Sequence, residues 1–494
     1  MWKEIAMNDR LQVHVLDTPS LGDRSYLVHD GEIAFVIDPQ RDIDRIEALL
    51  ETEGVRLTHV FETHIHNDYV TGGFALARRA GASYLLNGAD PVSFARTGLD
   101  DGDEIAIGDR MRLRALATPG HTFTHLSYAL TDLGEDFGAE GVFTGGSLLY
   151  GATGRPDLLG AEHTDALVRH QHASAHALAQ RLPQRSPVYP THGFGSFCSA
   201  TPTTTDADTS TIGEQTRSNP ALLRPVEDYA AEVLAGLGPW PSYYARMGPA
   251  NLAGPTDPDL SPAADLAVNE LSLHRADGAW LVDLRSRDDF AAGHLPGVLN
   301  FGLDGSFATY LGWLLPPATP VVLLGEDQQQ ITDAQRELVR IGIDRPAGQV
   351  VGGPATWAAA MPAGTDLEHH RVATFADLAA AEGEARDGAA AAPAVLDVRR
   401  RDEHASTALR GAANIPLPEL VDRVAELPDG EIWVHCASGY RASIAASVIA
   451  ASGRRPVAIH DGFGQAAGAG LDVIEVDAAE SGEPAESSGS SGAR

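Results

Sequence analysis

The sequence predicts a multidomain protein of mixed class, α/β and α+β. A domain of sheets covered by helices comes first, and two similar α/β units follow it. Three observations predict this. Short apolar strands alternate with helical patterns through the first part of the chain. Two stretches in the second half repeat one order of strand, turn and strand. The 494 residues also exceed what one ordinary core organises, so two to four domains are expected.

In the first part, apolar runs at 34–38, 58–62, 82–86, 142–144 and 187–189 read as strands, and 43–53 and 73–80 read as helices. Strands interleaved with helices call for sheets covered by helices rather than an all-β sandwich. The Thr-rich stretch 201–211 reads as a surface loop, and a helical segment over 220–237 follows it. Residues 248–262, rich in Pro, Gly and Asp, make the best linker, which places a first domain with a helical extension at 1–255.

The second half is a duplication. The first copy, 263–366, runs Trp280-Leu-Val-Asp-Leu-Arg285, then Gly293-His-Leu-Pro-Gly297, then the strand at 321–324. The second copy, 370–477, runs Val395-Leu-Asp-Val-Arg399, then Asn414-Ile-Pro416, then Ile432-Trp-Val-His-Cys436. The tail 478–494, built of Ser, Gly and Glu without large apolar residues, is expected to be disordered.

Composition excludes several function classes. Lys+Arg 36 against Asp+Glu 68 gives a formal net charge of -32, which repels phosphate backbones and anionic bilayers, so neither nucleic acid nor membrane is an expected partner. The first ten residues contain no apolar h-region, and no stretch approaches the ~18 apolar residues of a membrane span. A cytosolic (cytoplasmic) location is therefore expected. The two cysteines, Cys198 and Cys436, are too few and too far apart for a disulfide framework and better suited to reactive chemistry.

Cys436-Ala-Ser-Gly-Tyr-Arg441 lies between an apolar strand and a helical pattern over 442–451. Backbone N–H groups of such a loop, together with the positive end of the helix, would hold the terminal sulfur of a persulfide anion. In this reading Cys436 is the sulfur nucleophile. Ala437, Ser438, Gly439 and Tyr440 form the cradle, Gly439 allows close backbone approach, and Arg441 supplies charge or braces the loop. The strand ending in Asp397-Val-Arg399, the Asn414-Ile-Pro416 stretch and this Cys-x4-Arg loop resemble the rhodanese family. Related phosphatase loops are one residue longer, so sulfur is favoured over phosphate. The first copy has Gly325-Glu-Asp-Gln-Gln-Gln330 at the corresponding place, without Cys or Arg, and is expected to be structural or a docking unit.

Thr63-His-Ile-His-Asn-Asp-Tyr69 follows a strand, and Thr118-Pro-Gly-His-Thr122 and Tyr189-Pro-Thr-His-Gly193 close two more. Histidines and a carboxylate at strand ends suit metal ligation, which makes His64, His66, Asp68, His121 and His192 the candidate ligands. The arrangement resembles the metallo-β-lactamase fold over about residues 11–200, which implies an αββα layering. The fusion to rhodanese units most resembles persulfide dioxygenases, in which mononuclear iron oxidises a thiol-bound persulfide to sulfite. Gly193-Phe-Gly-Ser-Phe-Cys198 and Asn300-Phe-Gly-Leu-Asp-Gly-Ser-Phe-Ala308 are similar to segments of bacterial persulfide dioxygenase–sulfurtransferase fusions. Two positions depart from the pattern. Tyr69 stands where the family has its second-site His, and Gly146 stands where it has a metal-binding Asp.

The resemblance implies a mononuclear Fe(II) cofactor, with Zn as the alternative, and small-molecule partners: a thiol persulfide, with sulfite or thiosulfate. It implies persulfide oxidation to sulfite coupled to thiosulfate sulfurtransferase (rhodanese) activity, and hence sulfide detoxification. Cys198 is expected near His192, at the pocket mouth, as an acceptor or relay for persulfide sulfur, or as a packed loop residue. Arg155 and Asp157 either brace the pocket or bind an anionic thiol. A thioester hydrolase of the glyoxalase II kind and a metal-free persulfide carrier are the alternatives. Family analogy makes a homo-oligomer possible.

Overall fold

The computed structural model describes residues 2–6, 11–134, 139–200, 208–361 and 366–475. The tail expected at 478–494 and the 201–207 part of the Thr-rich stretch lie outside the described residues. The chain divides into two compact units. One comprises 1–263 with 306–315 and 332–346, and the other 264–305 with 316–331 and 347–494.

The first unit contains two sheets. The first has seven strands in chain order: Trp2–Ala6, Gln12–Thr18, Asp23–His29, Ile33–Ile37, Arg56–Phe61, Ser83–Asn87 and Thr97–Leu99. The second places Ser210–Thr211 beside Pro187–Pro190, then Ala139–Gly145, Leu126–Asp132, Met111–Ala117 and Glu104–Ile107. Side chains alternate faces along a strand, so each sheet buries two apolar sets. One set fills the space between the sheets, with Val13, Val15, Tyr26, Phe35 and Phe61 facing Leu113, Tyr128 and Phe143. Each fully buried phenylalanine there contributes about 1.5–3 kcal/mol.

The outer faces are covered by helices. Val36 and Val60 pack with Ile46 and Leu49 of the helix Asp44–Glu53 and with Leu76 of Gly73–Ala80. Leu116, Ala129 and Val142 pack with Val168, Ala175 and Leu178 of the helix Ala161–Arg181. The result is the expected αββα arrangement.

Three local expectations change. The end of the Thr-rich stretch is not loop, because Ser210–Thr211 pairs with Pro187 and Val188 and Thr211 then caps the helix Ile212–Ser218. Thr211 and Glu214 form a capping box, a local signal stronger than the threonine composition. The segment at 220–237 is two helices, Pro220–Leu223 and Val226–Gly236, separated at Pro225. The linker begins later than its composition implies, since Gly248 and Pro249 belong to the helix Tyr244–Ala253.

The second unit contains two parallel sheets with matching strand order. The first sets Leu299–Asn300, Trp280–Asp283, Val321–Gly325 and Gly348–Val351 side by side. The second sets Ala413–Asn414, Ala394–Asp397, Glu431–His435, Arg455–Ile459 and Arg371–Ala373 side by side, one edge strand more. The duplication extends to hydrogen bonds. Asp283 binds Arg285 at 2.6 Å and Asp397 binds Arg399 at 2.6 Å. The Asn300 amide donates to the Asp283 and Arg285 carbonyls, and the Asn414 amide donates to those of Asp397 and Arg399.

Burial acts to raise the Asp397 carboxyl, but hydrogen bonds from His404 and Arg399 outweigh it and hold the group well below the usual carboxylate range. Removing the carboxylate leaves Arg399, itself 3% exposed, with an uncompensated buried charge. Asp397→Ala is expected to cost about 3–5 kcal/mol, read as a lower urea midpoint. An unchanged midpoint would contradict this account of the frame.

Candidate metal centre and sulfur-transfer loop

The histidines sit on three loops at one edge of the first unit's paired sheets. Residues 62–71 follow the strand Arg56–Phe61 and are pinned from outside. The Asn251 amide donates to the His66 and Tyr69 carbonyls, Asn251 Oδ1 accepts from Thr71 N, and the Arg340 carbonyl accepts from Val70 N. His121 follows the strand Met111–Ala117 and His192 follows Pro187–Pro190.

All four imidazoles are buried, and their ring centroids lie close together: 4.1 Å for His64–His66, 4.7 Å for His64–His121, and 5.3 Å for both His64–His192 and His121–His192.

Outer hydrogen bonds fix which nitrogen of each ring points inward. His121 Nδ1 lies 2.8 Å from the Arg155 carbonyl, which can only accept, so Nδ1 carries the proton and Nε2 carries a lone pair. The Thr63 hydroxyl donates to Asp38 and so accepts from His64 Nδ1 at 2.8 Å, which leaves His64 Nε2 as the inward lone pair. His66 Nε2 faces Asp38 and Glu62, each at 3.3 Å, and Tyr69 Oη at 3.0 Å. His192 Nδ1 faces Asp23 at 2.8 Å and Asp68 at 3.2 Å. His192 Nε2 then sits 3.4 Å from His64 Nε2.

Two inward nitrogens, His66 Nδ1 and His121 Nε2, are buried without a hydrogen-bond partner. Orphaned imidazole nitrogens whose opposite edges are held by carboxylate or carbonyl are what a metal site needs. This donor set fits a metal ion.

The electrostatics follow. Burial pushes His121 down to about 3, and burial with four neighbouring imidazoles holds His64 well below its ordinary value. Burial opposes charge on His66 and His192 too, but carboxylates outweigh it, carrying His66 up to about 9 and His192 well above its ordinary range. Asp23 is raised by burial and by the charge of Asp68, so the pair behind His192 shares its negative charge unevenly.

The Gly146 departure has a structural counterpart. A Cβ built at Gly146 would collide with Cδ2 and Cγ of the His121 ring. Its backbone N–H donates to His125 Nε2 at 3.0 Å, and the His125 ring stacks on His64 at 5.0 Å. The site is therefore packed around the missing carboxylate. Asp68 Oδ2 lies 3.2 Å from the outward nitrogen of His192, and both oxygens of its carboxylate are buried without a hydrogen-bond partner.

Cys198 is fully buried, and its sulfur, His121 and His192 offer donor atoms within 4.8 Å of one another. Burial, then the charges of Asp68 and Asp23, push its thiol far up against the opposing Arg155. Arg155 braces this loop: it pairs with Asp157 at 2.6 Å, donates through Nη1 to the Phe197 carbonyl, and receives the Cys198 carbonyl on its backbone N–H at 2.7 Å.

The Cys436 loop belongs to the second unit. Gly439 N–H donates to Cys436 Sγ at 3.1 Å, and the helix Tyr440–Ala451 starts directly behind it. Two loop carbonyls are tied away from the sulfur, Ala437 to Phe463 N and Ser438 to Arg287. Arg441 is turned to Glu403, binding both its oxygens at 2.6 and 2.8 Å, and so braces the loop. Tyr440 Oη donates to the Gly302 carbonyl. Ala437 and Ser438 are exposed.

Sequence reasoning missed Asp23, Asp38, Glu62, His125, Glu403 and Arg287. Asp38 directly follows the strand Ile33–Ile37 in the left-handed region at φ 50°, where non-glycine residues are rare.

The metallo-β-lactamase superfamily profile matches residues 23–192, and the rhodanese-like domain profile matches 267–360 and 379–466. The chain is a metallo-β-lactamase domain joined to two rhodanese-like domains. The chain is similar to the mitochondrial persulfide dioxygenase ETHE1 of Homo sapiens, 29% identical over 46% of this chain and 82% of that protein. It is also similar to the hydroxyacylglutathione hydrolase of Brucella anthropi, 38% identical over 26% of this chain and 48% of that protein.

The chain spans about half the length of the hydroxyacylglutathione hydrolases it matches. Among solved structures, a metallo-β-lactamase from Staphylococcus aureus subsp. aureus COL superposes with a TM-score of 0.62 at 26% identity, covering 70% of this chain and 100% of that one. Among the described residues no helix is long and apolar enough to cross a membrane.

Proposed function

We propose that this protein oxidises a low-molecular-weight thiol persulfide to sulfite at a mononuclear metal in the metallo-β-lactamase domain and moves sulfane sulfur through Cys436. The observation that carries the first half is the pair of orphaned inward nitrogens, His66 Nδ1 and His121 Nε2, beside the His64–His192 contact. His64 Nε2 and His121 Nε2, with His66 Nδ1 and His192 Nε2 as further donors, would hold the ion. An all-imidazole set suits iron or zinc. Bound iron supplies oxygen activation there, the chemistry that persulfide oxidation requires.

The chain's own residues do the rest. Asp38, Thr63, Asp23 and the Arg155 carbonyl orient the imidazoles. Cys198, fully buried beside His121 and His192, would adjoin a substrate sulfur at that edge. The persulfide dioxygenase relative and the Cys436 cradle support a common sulfur chemistry for the two units.

A second reading, metal-hydroxide cleavage of a thioester, is favoured by the hydroxyacylglutathione hydrolase relatives. Tyr69 speaks against its two-metal form, because its ring stacks on His66 where a second-site imidazole would be needed. A metal-free persulfide carrier leaves the orphaned nitrogens without purpose. Metal analysis with an oxygen-electrode assay tests all three. The expected result is about one iron per chain and oxygen uptake with a thiol persulfide. Zinc with thioester turnover and no oxygen uptake would establish the hydrolase, and absence of metal after anaerobic expression would establish the carrier.

A further inference from the structure

The loop that carries Cys436 has one cation of its own, and that cation is spent. Arg441 binds both oxygens of Glu403, which leaves the exposed Ala437–Ser438 rim to its neutral residues. A second guanidinium stands at this rim, and it comes from the copy of the rhodanese unit that has no cysteine. Arg287 Nη1 donates to the Ser438 carbonyl at 3.1 Å and would lie 2.7 Å from a Cβ on Gly439, so it rests directly on the peptide whose N–H reaches Cys436 Sγ.

The neighbouring Asp288 is occupied by His460, whose Nδ1 it meets at 2.8 Å, and the same side chain pairs tie the two copies together around the loop. Ser443 Oγ donates to Asn300 Oδ1 at 2.7 Å and Tyr440 Oη donates to the Gly302 carbonyl at 2.8 Å.

We infer that Arg287 is the anion-recognition residue of the Cys436 site, receiving the sulfonate oxygens of thiosulfate, or of sulfite in the reverse direction. The inference rests on the reading of Cys436 as a sulfane-sulfur carrier. In the step concerned, the Cys436 thiolate attacks the outer sulfur of thiosulfate. The donor's S–S bond breaks, sulfite leaves with the bonding pair, and Cys436 keeps the outer sulfur as a persulfide anion, so atoms and total charge are conserved. Both reactant and leaving group are dianions approaching a chain of net charge -32. A guanidinium with planar donors at the rim offsets that repulsion where the oxyanion must sit. The copy without a nucleophile thereby contributes the group that selects the substrate.

The test compares the intact chain with Arg287→Ala and Arg287→Lys. Cys436 is alkylated with iodoacetate, an anion, and with iodoacetamide, its neutral analogue, and followed by peptide mass spectrometry. Arg287→Ala is expected to lower the iodoacetate-to-iodoacetamide rate ratio by about 3- to 10-fold and to raise KM for thiosulfate by a similar factor. The kcat should change less, and Arg287→Lys should restore most of the ratio. An unchanged ratio overturns the inference, and so does equal slowing with both reagents, which would make Arg287 a mere support of the loop. If the ratio falls but the wild-type chain transfers no sulfur from thiosulfate, the carrier reading fails while Arg287 stands as an anion site.

Discussion

Replacing Cys436 with serine should abolish thiosulfate-to-thiol sulfur transfer, lowering kcat/KM by about 1000-fold or more, and leave metal content unchanged. Serine nearly preserves the volume of this buried side chain, and its hydroxyl can accept from Gly439 N–H as the sulfur does, so the loop should keep its shape. An alkoxide cannot hold a sulfane sulfur as a persulfide does. The loss is therefore chemical rather than conformational. Glu403–Arg441 and Ala437–Phe463 contacts do not involve the thiol, which is why folding should survive. A sulfurtransferase assay beside metal analysis checks both halves. Loss of metal in this variant would contradict the independence of the two centres.

The second large effect is expected at His121. His121→Ala removes an orphaned, outwardly anchored nitrogen from the cluster and should weaken metal binding by at least about 100-fold while sparing sulfur transfer at Cys436. The measurement is metal per chain after equilibrium dialysis, with rhodanese activity as the folding control. Gly146→Ala should act in the same direction without touching a donor, because its Cβ would enter the space of the His121 ring. Wild-type metal content in both variants would place the ion elsewhere.

Much of the architecture was legible because apolar alternation and the repeated Asp-x-Arg strand are local signals. The Cys436 loop was legible for the same reason, since nucleophile, glycine and helix start are contiguous. The metal region was legible only in its donors. His64, His66, His121 and His192 announce themselves, but the tautomers depend on Asp38, Asp23, Thr63 and the Arg155 carbonyl, which tertiary packing brings from elsewhere. Asp68 illustrates the limit. Its spacing from His66 fits an inward ligand, yet nothing local reveals that one of its oxygens comes within 3.2 Å of the outward nitrogen of His192. Gly146 reads as a loss in the sequence and as a packing requirement in the structure, because nothing local reveals that His121 and His125 converge on it. Arg287 lay 149 positions from Cys436 and carried no motif.

The Asp283–Arg285–Asn300 frame has a consequence for protein engineering. Strand register pairs Asp283 with Leu324 as it pairs Asp397 with His435, so Gly325 occupies the address that Cys436 holds in the other copy, and Gln330 that of Arg441. The scaffold beneath that address is fully built although no thiol stands on it. Residues 325–330 are thus a vacant socket, and grafting the Cys-x4-Arg sequence there is the most economical way to ask what a loop needs beyond its frame to become a sulfur carrier.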